Sequence, residues 1–205
     1  MRIVAAVFAV VALVLGVARL VMFVGLHVMR SDYDPVRHAV SDYAVGRTRP
    51  LSSAMTWATG GMWLALAVAV GFGFPQWSDR VGVTACLAVL ALLFVVLPFL
   101  PTDLEGERPT RLGRLHLLAA IAWFALSYAC MGNFARLLQE PRAIGATLMV
   151  LSWVALVSLI VLVAALLRGA LRRHLFGVFE RVFLVAVNLF YITVCAGILL
   201  QPAVA

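Results

Sequence analysis

The chain has no lysine: all 16 of its basic side chains are arginines. Acidic residues are scarcer still, nine in all, which leaves a formal charge of +7. These arginines lie between apolar segments and form no stripe along one helix or strand, which argues against a nucleic-acid surface. Cysteine is confined to Cys86, Cys130 and Cys195, each inside an apolar run with no Cys-x-x-Cys or Cys/His spacing. The three are therefore expected as packing residues and not as a disulfide framework or a metal site. No His-x-x-x-His or His-Glu-x-x-His spacing occurs, and no glycine-rich phosphate loop with a following lysine. Neither a metal nor a cofactor is implied.

What fills the chain instead is apolar. Hydrophobic residues make up 64% and charged residues 12%, a balance that would leave a soluble protein unable to cover its surface. With a mean hydropathy of +1.06, the solvent must be lipid. The 205 residues suffice for six spans of roughly 20 residues each, with little over for an extramembrane domain. Apolar runs broken by charge and by Pro/Gly clusters place these spans at Ile3 to Met29, Leu51 to Phe74, Val81 to Pro98, Leu115 to Leu138, Ala143 to Leu167 and Gly177 to Leu200. The first run follows Arg2 as a secretory signal would, but it is too long for one and five more spans follow. In the bilayer only helices and closed barrels satisfy every backbone group, and these runs are continuous and lack a period of two. The expected fold is all-α, an integral membrane bundle of six transmembrane helices forming one domain over residues 1–205.

Ten arginines fall in or beside the first, third and fifth loops, against four on the other side. This bias predicts a multi-pass protein of the cell membrane with its odd loops in the cytoplasm.

Polar chemistry concentrates on that odd-loop surface. The first loop, Arg30 to Pro50, is longer than a connector requires. It carries Asp32, Tyr33, Asp34, His38, Ser41, Asp42 and Tyr43. Two readings compete: a ligand-binding loop, or a headgroup-facing linker whose aspartates balance its arginines. In the third loop Asp103 follows two prolines, and His116 opens the fourth span after a connection containing Gly106, Pro109 and Gly113. The hairpin brings Asp103 and His116 to one depth. There the carboxylate can orient a basic imidazole, or each residue can simply cap a helix end. His38, Ser41, Asp42, Tyr43, Asp103 and His116 are the candidate ligand-binding residues. His27, His38, His116 and His174 all lie near this surface, which disfavours a buried bis-histidine haem site.

Within the spans, Arg19 is expected to snorkel to the odd-loop surface, the sharper alternative being a buried pair with Glu180. Asn188 is expected as interhelical glue, and Gly60 and Gly61 as points of close helix contact. Of the five tryptophans only Trp77 reads as an interfacial anchor.

The string His38-Ala39-Val40-Ser41-Asp42-Tyr43-Ala44-Val45-Gly46, followed by Leu100-Pro101-Thr102-Asp103 and Arg114-Leu115-His116, resembles a bacterial six-span family, domain of unknown function 998. That family's pattern is Ser-x-Tyr-x-x-Gly before helix 2, Phe-Pro-x-Asp closing helix 3 and a histidine opening helix 4. Leu100 stands where the pattern has phenylalanine. The resemblance covers nearly the whole chain and implies architecture and the choice of site residues, but no activity. A fainter likeness to the Frag1/DRAM/Sfk1 group, linked to lipid handling, is one of fold alone.

Three functions fit these observations. One is binding or transport of a small polar or lipid-headgroup ligand at the odd-loop surface. The second is a lipid-modifying hydrolase or transferase using Asp103 and His116, and the third is a structural subunit of a membrane complex. The partners implied are the bilayer and such a ligand.

Overall fold

The structure, a computed structural model, describes residues 1–29, 33–103 and 108–201, without the side chains at 169, 170, 172 and 173. Arg30, Asp32 and Gly106, which belong to the first and third loops, lie outside the described residues.

Six helices carry the chain: α1 (Arg2–Val28), α2 (Arg49–Gly73), α3 (Arg80–Val96), α4 (Arg111–Leu137), α5 (Arg142–Leu167) and α6 (Gly169–Leu200). All six contain stretches long and apolar enough to cross a membrane. Their ends follow local chemistry. Pro50 sits in the first turn of α2, where its missing N–H costs nothing. The Leu97–Phe99 turn, with Pro98 in it, stops α3. Thr110 caps α4, its hydroxyl accepting from Gly113 N–H at 2.9 Å. Helix α6 begins at Gly169, well before the apolar boundary at Gly177. Hydropathy marks where lipid contact begins, and the Leu-Arg-Arg-His stretch continues the helix outside it.

Buried residues fill 56% and 61% of the spanning windows of α2 and α6, against 22% to 28% of the other four, so α2 and α6 form the centre. The Trp63 ring of α2 meets Tyr191 of α6 edge-on at 4.5 Å. Tyr191 then donates its hydroxyl to Ser127 O of α4 at 2.6 Å. Asn188 donates to Gly16 O of α1 at 3.0 Å, which makes it the interhelical glue expected. Close approach is needed at that point: a Cβ on Gly16 would lie 3.0 Å from Ile192 of α6. Gly60 and Gly61 pack against Phe94 and Leu15 in the same manner.

Arg19 corrects both expectations made for it. It does not snorkel: it is buried at 5% exposure and donates from Nε to Thr59 Oγ1 of α2 at 3.1 Å. Nor does it pair with Glu180, whose carboxylate accepts from the first loop.

Candidate functional site

The first loop is docked on the bundle. Two short 3-10 turns, Val40–Ala44 and Gly46–Thr48, lead into α2, with Gly46 opening the second at φ +67°. Val40 N–H donates to Glu180 Oε2 of α6 at 2.7 Å, and Gly177 N–H donates to Val36 O at 3.1 Å. Gly177 is required at this crossing, since a Cβ there would lie 2.5 Å from Pro35 O and 2.7 Å from Val36 O. Asp42 accepts from Ala39 N–H at 3.1 Å and holds the first turn closed. Thr48 donates its hydroxyl to Tyr43 O at 2.8 Å and closes the second. Asp42, Tyr43 and Glu180 are thus inside the protein, at 5%, 1% and 7% exposure.

Arg181, next to Glu180, binds this collar together. Its Nε donates to His27 Nε2 at 2.7 Å, and its Nη1 donates to His38 O at 2.9 Å and to Gly177 O at 2.8 Å. His27 contacts Phe23 O through Nδ1 at 2.8 Å, so the tautomer that satisfies both contacts is neutral with hydrogen on Nδ1. The guanidinium lies over the Tyr43 ring at 5.8 Å, a cation–π distance. The third nitrogen, Nη2, is buried with no hydrogen-bond partner among the described residues. Arg181 also lines a groove of about 360 Å³ between α5 and α6, otherwise walled by Leu151, Val154, Val182, Val185, Ala186 and Leu189.

Of the residues selected from sequence, His38, Asp42 and Tyr43 therefore meet at one place. His38 adds its ring, whose Nδ1 accepts from Asp34 N–H at 2.8 Å and whose face meets Tyr33. Ser41 lies half-buried in the same turn. Asp103 and His116 lie elsewhere on this surface, beside the Leu97–Phe99 turn, where Phe99 meets Trp57 of α2. They do not bond one another. Asp103 accepts from Thr110 N–H at 2.8 Å and from Thr110 hydroxyl at 2.7 Å, while His116 Nδ1 contacts Leu100 O at 2.8 Å. The Thr110 hydroxyl, then the Thr110 N–H, holds the Asp103 carboxyl below its ordinary value. Its carboxylate occupies the space a Cβ on Gly113 would need. Asp103 is thus a cap on the loop entering α4.

Sequence reasoning passed over Arg181 and named His27 only among possible haem ligands. The available signal was an arginine directly after Glu180 inside a predicted span, a position that a bilayer tolerates only with partners. Among the described residues, no group of three or more His, Cys, Asp or Glu side chains could hold a metal ion.

No curated protein and no solved structure matches the chain, so the Frag1/DRAM/Sfk1 likeness gains no support. The family described as Protein of unknown function (DUF998) matches residues 3–197, the whole of the six-helix bundle but its last turn, and the chain belongs to that family.

Proposed function

We propose that this protein binds an anionic lipid at its odd-loop surface, with the acidic headgroup on Arg181 and an acyl chain in the groove between α5 and α6. Arg181 carries this reading. Its Nε and Nη1 are fixed by His27, His38 O and Gly177 O, while Nη2 is buried without a partner among the described residues. A buried N–H left unpaired costs roughly 1–3 kcal/mol, and a phosphate or carboxylate oxygen offers it a charge-assisted bond. The groove wall beyond it is aliphatic from Val182 to Leu189, about 10 Å of helix. A cation at the outer end of an apolar slot complements an amphiphile with an anionic head. On the arginine bias, this surface faces the cytoplasm.

The enzymatic alternative has less support, because the Asp103 carboxylate is engaged by Thr110 and the His116 ring by Leu100 O. Lipids retained by the purified protein, read by native mass spectrometry, test the proposal. Wild type should keep an anionic lipid that both Arg181→Gln and Val185→Trp lose, the second by filling the groove while leaving the arginine's bonds intact. A lipid complement unchanged in both folded variants would leave a structural subunit as the better reading. In a thermal unfolding assay an anionic lipid at 100 times its Kd should add roughly 2.7 kcal/mol of stability, and a zwitterionic lipid none.

A further inference from the structure

The opposite, even-loop surface holds a second constellation that the lipid reading does not use. Cys86 of α3 and Cys130 of α4 line one groove across the helix interface. Cys86 S–H donates to Leu126 O of α4, one helical turn before Cys130, at 3.7 Å. Both thiols line a groove of about 440 Å³ whose other walls are Ser78, Asp79, Gly82, Val83, Ala129 and Asn133. Asp79 and Asn133 hold the mouth together, with Asn133 Nδ2 donating to Asp79 Oδ2 at 2.8 Å and Arg136 within 3.6 Å of the same oxygen. Cys86 is the more accessible sulfur, since it is half-buried while Cys130 is 4% exposed. The third cysteine, Cys195, is buried in α6 and does not line this groove.

We infer that Cys86 and Cys130 form a reversible dithiol–disulfide site, oxidised by a disulfide-bearing thiol oxidant that reaches Cys86 through the groove. Thiol–disulfide exchange needs an attacking sulfur that is reachable and a second sulfur beside it to resolve the mixed disulfide. In the first step the Cys86 thiolate attacks one sulfur of the oxidant and displaces its other half as a thiol. Cys130 sulfur then attacks Cys86 sulfur, closes the Cys86–Cys130 bond and releases the second thiol. Two electrons pass to the oxidant, and the two protons leave on its thiols. The bond joins α3 to α4 and closes the groove between them. On the proposed topology this surface faces away from the cytoplasm, where disulfides persist.

The test uses the full-length protein in lipid nanodiscs, equilibrated in buffers of oxidised and reduced glutathione, then alkylated and digested for mass spectrometry. A peptide pair linked through Cys86 and Cys130 should appear along the series, vanish on return to reduced glutathione, and be absent from Cys86→Ser and Cys130→Ser. Cys195 should remain an alkylatable thiol throughout. Three results would overturn the inference: no linked pair at any ratio, a glutathione adduct that persists on Cys86 unresolved, or two uncross-linked thiols that instead retain one equivalent of silver ion. The last would assign the pair to a soft metal ion held in two-coordinate fashion.

Discussion

Asp103 takes two hydrogen bonds from Thr110, and these hold its carboxyl below the ordinary value in the folded protein. The ordinary carboxylate titrates near pH 4, so the stability linked to this shift is fully present above about pH 4 and is lost as pH falls through the lower folded value. Asp103→Asn should therefore lower Tm at neutral pH and converge on wild type in acid, measured as Tm against pH for both proteins. A constant difference across the range would mean that the carboxylate's charge is not what the cap uses. Sequence gave the residue types and their shared surface, but nothing in the spacing says that Thr110, not His116, receives the carboxylate. Partner choice depends on how residues 108–110 turn back, and that is set by side-chain geometry of a few ångströms. The same limit concealed Arg181, whose meaning comes from His27 and His38, both far away in sequence.

At the scale of elements, the first loop and the outer part of α6 behave as one unit. The loop's length and composition were legible; its docking was not, because the receiving feature is a glycine. Gly177 has no side chain to advertise contact, yet Pro35 O and Val36 O sit where its Cβ would be. Gly177→Val should displace the loop. The measurable consequence is faster alkylation of a cysteine placed by Ser41→Cys, rising about tenfold for each 1.4 kcal/mol of docking lost. An unchanged rate in the folded double variant would show the loop held by other contacts. Helix α6 itself shows why a helix can outrun its apolar span: the span expected from Gly177 begins at His174, but helical hydrogen bonding does not need lipid and continues back to Gly169.

For the whole molecule, span number and helical class followed directly from composition, because a bilayer admits few alternatives. Which helices stand at the centre was not legible, since all six are apolar enough to face lipid and only packing at Trp63, Asn188 and Tyr191 distinguishes α2 and α6. The proposed topology makes its own prediction. A reporter active only in the cytoplasm should be active when fused after Thr102, in the third loop, and silent when fused at the C-terminus; the reverse pattern would invert the arginine rule for this chain.

The bond from Val40 N–H to Glu180 joins residues 140 positions apart. During synthesis at about 5–20 residues per second, roughly 7 to 28 s pass between the appearance of donor and acceptor, and the loop must wait at the membrane surface throughout. Its collar closes only after the last helix has entered the bilayer. Loop closure is therefore the last event of assembly, because the Val40 amide and the His38 carbonyl have no Glu180 or Arg181 to meet until α6 is made.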